Sequence, residues 1–117
     1  MAALLAQAAP DSGVAAQRAF DELLTAQYHE LFLSFSPELQ AELPEAAIPE
    51  RAGQKIQALG KPVRTSQPVV MKNAETDVVV INAVFTTAAF DFEFFVTADG
   101  KIGGLFLRPV RGQQVQK

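Results

Sequence analysis

Asp91 and Glu93 alternate with phenylalanines in the run Phe90-Asp91-Phe92-Glu93-Phe94-Phe95. In a strand, side chains two residues apart lie on one face, roughly 7 Å from each other. Two carboxylates so placed can do acid–base work or hold a hard cation. The wet side of a half-buried strand produces the same alternation, and that simpler reading is preferred. Phe95 shares their face, and a carboxylate closed in beside an aromatic ring would have a raised pKa. Arg108 ends the last apolar run. Its planar guanidinium could grip an anion or a partner's carboxylate, although a pairing with a nearby acid that fixes the strand end is the plainer role. His29 is the only histidine and titrates near neutrality. The inward positions around it are Tyr28, Leu31 and Phe32, which sets His29 at or near the surface and leaves it without a catalytic assignment. Tyr28, the only tyrosine, reads as a core aromatic whose hydroxyl reaches solvent or a backbone group. Tyr28, Asp91, Glu93 and Arg108 are thus the polar groups available to a ligand pocket.

Several chemistries have no footing in this chain. It carries no Gly-x-Ser-x-Gly, no His-Glu-x-x-His and no Gly-rich phosphate loop. Gly103-Gly104 lies inside a predicted strand, where glycine marks a bulge or a close backbone approach. There is no cysteine, which removes disulfides, thiol chemistry and cysteine-based zinc sites. Net charge is −3 and the Lys and Arg residues are scattered, so the basic stripe that nucleic-acid phosphates need is missing. No apolar run approaches the ~20 residues of a membrane-spanning helix. No cofactor or metal is expected.

The elements that must hold these residues follow from periodicity. Asp11-Ser12-Gly13 offers a capping oxygen for a helix. Ala16, Phe20, Leu23, Leu24, Tyr28, Leu31, Phe32 and Phe35 then recur at spacings of three and four. The pattern can bend near Ala26-Gln27-Tyr28, giving two helices that share a face. Ser36-Pro37-Glu38 restarts a helix with a capping serine, a proline at its first position and an acid in its first turn. Pro44 interrupts it. Ile48-Pro49-Glu50 opens another, with Ala52, Ile56 and Leu59 inward and Gly60 as its stop.

From Lys61 the period becomes two. Val63 to Met71 is predicted as one peripheral strand, because Pro62 and Pro68 cannot donate ladder hydrogen bonds. Lys72 to Glu75 forms a turn. The strand from Thr76 to Phe85 is apolar at seven of the eight positions 78–85, which predicts a central place. In the next strand Phe90, Phe92, Phe94 and Val96 share one face, and Asp91, Glu93, Phe95 and Thr97 the other. Ala98-Asp99-Gly100-Lys101 is a hairpin turn, and the last strand runs from Lys101 to Arg108.

Helices first and an antiparallel meander after predict an α+β domain with a sheet of about four strands. Its 117 residues are one domain: an extension at 1–12, the domain at 13–110 and a polar tail at 111–117. The helices can cover one face of the sheet. The other carries Phe95 with Leu105 and Leu107, or their opposites, depending on register. Covering that surplus points to a homodimer through the sheet face. The alternative is a pocket between helices and sheet for a small apolar ligand, with or without acid–base chemistry. The stretch Ala2-Ala3-Leu4-Leu5-Ala6-Gln7-Ala8 is apolar and ends in an A-x-A pattern. It reads as an alanine-rich extension or as the remnant of an export signal, so the compartment stays open between exported and cytoplasmic.

The residues Phe20-x-x-Leu23-Leu24, Tyr28 and Leu31-x-x-x-Phe35-Ser36-Pro37-x-Leu39, the stop Leu59-Gly60-Lys61, and the ending Val96-x-x-Asp99-Gly100-Lys101-Ile102-x-Gly104-Leu105-x-x-Arg108-Pro109 resemble a bacterial family of unknown function. The resemblance spans about residues 15 to 110. It implies a cystatin-like, nuclear-transport-factor-2-like cone, found alone in exported proteins or as an accessory ahead of an α/β-hydrolase domain. Ala26-Gln27 departs from the Gly-Asp usual there, as does the lack of a tryptophan near Ala52. Cones of this type can also host enzymes in which a tyrosine and a carboxylic acid stabilise an enolate and a second carboxylate is the base. That is the chemistry the resemblance would allow Tyr28 and an acid.

Overall fold

The computed structural model describes residues 11–73 and 75–110. Residues 1–10 of the expected extension, the polar tail at 111–117 and Ala74 of the predicted turn lie outside them.

Helix α1 is Ser12–Leu24, started by Asp11, whose carboxylate accepts from the backbone N–H groups of Gly13 and Val14 at 2.9 and 3.3 Å. The chain breaks at Ala26, which takes a positive φ of 60°, and α2 follows as Tyr28–Leu33. The predicted bend is therefore a true interruption. Ser36 caps α3, Pro37–Glu42, through the Leu39 N–H. Pro44 separates α3 from a 3-10 turn at Glu45–Ala47. The expected helix from Pro49 is composite: its first five residues, Pro49–Gly53, are π-helical, and only Gln54–Leu59 (α4) is regular. Tyr28 lies where the π-helical turn ends. A methyl group on Gly53 would overlap the Tyr28 hydroxyl oxygen, so with any other residue there the ring or the helix must shift. Gly60 stops α4 at φ 79°.

The sheet is antiparallel and five-stranded. The predicted first strand is two pieces, β1 (Arg64–Thr65) and β2 (Val69–Met71), interrupted at Pro68 for want of a donor. Both pair with the same edge of β3, Thr76–Val84. Beyond it come β4, Ala89–Thr97, and β5, Ile102–Pro109. The β4–β5 turn uses Gly100 at φ 83°, and the Gly100 N–H donates to the Thr97 carbonyl at 2.9 Å. Between Phe95 and Val96 the register slips, leaving Gly103 as the extra residue of a bulge. A parallel bridge from Phe35 to Ile102 ties the helical half to the start of β5.

All helices lie on one face. The rings of Phe20 (α1) and Phe92 (β4) meet edge to face at 4.9 Å, and Phe35, Phe94, Leu31, Ile48 and Ile56 are buried around them. Fully burying such a side chain contributes roughly 1.5–3 kcal/mol, so this layer dominates stability. A second tie is polar: Ser12 at the head of α1 donates to Asp77 of β3 at 2.6 Å. That bond, assisted by Lys72, holds the Asp77 carboxyl below its ordinary range against the opposing effect of desolvation.

Gly53→Ala should therefore lower the urea midpoint by the equivalent of roughly 1–3 kcal/mol, the range for overpacking, with the slope of the transition unchanged. A loss of under about 0.5 kcal/mol, the scale of a surface substitution, would show that Tyr28 moves aside freely.

Candidate functional site: the open face of the sheet

Register decides which side chains this face carries. Val78 lies opposite Phe95, Val80 opposite Glu93 and Asn82 opposite Asp91. On the far side of β4, Phe95 lies opposite Gly104, Glu93 opposite Phe106 and Asp91 opposite Arg108. Leu105 and Leu107, expected as candidates for this face, pair with Phe94 and Phe92 and pack against the core. The pleat accounts for the correction: Phe92 and Phe94 point to the helices, so their directly paired neighbours do too. Phe95 does lie outward, and Phe106 joins it in place of the leucines.

On β2, Met71 lies opposite Val78 and Val69 opposite Val80. Two cross-strand rows result. One is Met71, Val78, Phe95 and Gly104; the other is Val69, Val80, Glu93 and Phe106. The Phe95 and Phe106 rings meet edge to face at 5.5 Å, above Gly104. A methyl group on Gly104 would lie 3.3 Å from the Phe106 ring and 3.4 Å from Phe95, so the glycine lets the rings settle on the backbone. Val69 is 57% exposed, Met71 48% and Phe106 50%. These large apolar side chains surround the half-buried Val78, Val80 and Phe95, so the exposure is one patch across four strands rather than scattered residues.

Glu93 interrupts the second row and accepts from the Arg108 Nε at 2.7 Å. The adjoining row, Asn82, Asp91 and Arg108, is polar, and in it Asp91 accepts from the Asn82 amide at 3.0 Å. Asp91, Glu93 and Arg108 are thus gathered at one end of the open face. Tyr28 packs against the core on the helical side, so the sheet stands between it and both carboxylates. His29 is exposed and bonds Glu45 at 2.9 Å; that hydrogen bond, with the charge of Glu45, raises its pKa. Between helices and sheet the rings of Phe20, Phe35, Phe92 and Phe94 are buried, Phe20 edge to face on Phe92. Among the described residues no group of three or more His, Asp or Glu side chains is placed to hold a metal ion, and no helix is long and apolar enough to cross a membrane.

Sequence reasoning missed Phe106, Val69, Met71 and Val80. Arg108 carried a usable signal. If it pairs with an acid of the Asp91–Glu93 face, then Phe106, two residues away, must share that face, and Leu105 and Leu107 must turn inward. A separate groove of about 310 Å³ opens between α1, α2 and the β4–β5 turn, lined by Arg18, Glu22, Glu30, Asp99 and Lys101 among others. One carboxylate oxygen of Glu22 is buried there without a hydrogen-bond partner. Desolvation raises the Glu22 pKa; Arg18 opposes this, and Glu30 and Asp21 add to it.

Compared with protein-family models, with curated proteins and with solved structures, the chain matches none.

Glu22 binds its proton more tightly in the folded than in the unfolded chain, so its contribution favours folding at acid pH and is lost as pH rises through the folded value. Glu22→Gln should raise the melting temperature at pH 7 and leave it unchanged at about pH 3.5, below the ordinary glutamate range; a lower melting temperature at pH 7 would contradict the assignment. Arg108→Ala should cost no more than about 1 kcal/mol by denaturant titration, because its partner is reached at an exposed site.

Proposed function

We propose that this protein is a non-catalytic binding and assembly module that pairs with a second copy of itself through the open face of the sheet. One observation carries the reading: Val69, Met71 and Phe106, each about half exposed, are joined by Val78, Val80 and Phe95 into one apolar surface. Monomeric proteins rarely leave large contiguous apolar patches in water.

The second copy is favoured as occupant because the patch has polar margins, charged at one end and hydroxyl-bearing at the other. Glu93 and Arg108 stand on one side, and on the other the next outward pair is Thr76 with Thr97. An apolar centre with a polar rim is the anatomy of a specific interface. A two-fold axis through the patch would bring each row against its own copy, and two-fold dimers are the commonest oligomers. The order of elements, helices first and then an antiparallel meander covered on one face, supports a nuclear-transport-factor-2-like cone as the scaffold.

Light scattering coupled to size-exclusion chromatography should give a dimer mass at high micromolar concentration. Met71→Glu places a charge in the apolar row and should weaken association at least tenfold without lowering the melting temperature of the monomer. A wild-type monomer at those concentrations would sink the proposal.

A further inference from the structure

β5 is an edge strand, and its hydrogen-bonding direction follows from two bonds. The Phe85 N–H donates to Ala88 at the β3–β4 turn, and the Val110 N–H donates to Ala89 across β4 and β5, at 2.7 and 3.0 Å. In an antiparallel ladder, hydrogen-bonded and non-hydrogen-bonded pairs alternate. Ala89/Val110, Asp91/Arg108 and Glu93/Phe106 are therefore the bonded pairs between β4 and β5. The N–H and C=O groups of Leu105 and Leu107 point the other way, to the free edge. Among the described residues, the backbone pairing on that side is the Phe35–Ile102 bridge, where Ile102 donates to Ser34 and accepts from Ser36, both at 2.8 Å. Past the Gly103 bulge no described residue pairs with this edge.

We propose that this edge pairs with the same edge of a second copy, antiparallel and centred on Phe106, so that one sheet continues through two molecules. This concerns the edge of the sheet and stands independently of the face pairing above. The frame is self-complementary. With the two-fold axis at Phe106, Leu105 of each copy lies opposite Leu107 of the other, and both pairs exchange N–H and C=O bonds. Pro109, which has no N–H, falls opposite the irregular Gly103, where a regular ladder bond is already lost. Arg108 falls opposite Gly104, so no like charges face each other, which would oppose strand pairing. A one-residue shift would turn Leu105 and Leu107 from the helical side to the solvent side of the partner's sheet, and the bulge and proline bracket the pairing to this short stretch. The exposed Phe106 would then meet its own copy as a non-bonded pair, with Cα atoms about 4.5 Å apart.

The test uses the chain carrying Met71→Glu, which disables face pairing but leaves β5 intact. Amide exchange at Leu105 and Leu107 should slow at least tenfold as concentration rises from micromolar to millimolar, while exchange of the β1 amides stays constant. Phe106→Cys, in a chain with no other cysteine, should then oxidise to a symmetric disulfide dimer, because a non-bonded antiparallel pair sets the two Cα atoms within reach of that bond. Exchange at both leucines independent of concentration overturns the proposal, whether or not the unaltered chain dimerises. Protection without the disulfide overturns the two-fold register and the proposal with it.

Discussion

Phe92 and Phe94 are completely buried against α1 and the helices behind it, and the pleat of a strand then leaves their neighbours one place to go. Asp91, Glu93 and Phe95 must stand on the opposite surface. Because β4 is bonded on both sides, its phase passes to β3 and β5 through direct pairing. Val79 and Ile81 turn inward with the phenylalanines, and Val78 and Val80 turn outward with the acids. On the other side Leu105 and Leu107 turn inward, and Phe106 and Arg108 outward. The burial of two rings sets the content of both faces.

The same constraint explains why the open face is mixed. Its charges fall at one end, where Asp91, Glu93, Asn82 and Arg108 satisfy one another. Its apolar rows fall beside them, where β2 adds Val69 and Met71 to the edge of β3. Gly104 permits the Phe95–Phe106 contact by giving the rings a floor. The polar groups first considered for a ligand site are consequently divided. Three belong to the outer surface, while Tyr28 is committed to the close packing of α2 against Gly53 on the inner one.

Much of the fold was legible from local chemistry. Asp11 and Ser36 announced helix starts because a short side-chain oxygen satisfies an exposed N–H wherever the helix later docks. Gly60 and Gly100 marked a stop and a turn because positive φ strains any side chain with a Cβ. The alternation around Asp91 and Glu93 was equally local. Less legible was the π-helical turn, which accompanies contact with a tyrosine far back in the chain. The placement of Leu105 and Leu107 was not legible from their own segment. Ile102, Gly104 and Phe106 form one apolar set and Gly103, Leu105 and Leu107 another, so either phase looks acceptable until the partner strand chooses.

The amino-acid order alone determined an α+β chain, the sites where its helices and turns begin and end, and a sheet richer in apolar side chains than its helices can cover. Those properties depend on dihedral preference, capping and periodicity, which act over a few residues. Tertiary structure alone decided which apolar residues remain at the open face and which backbone groups reach the free edge. Both depend on register, and register is a relation between strands that neither strand contains.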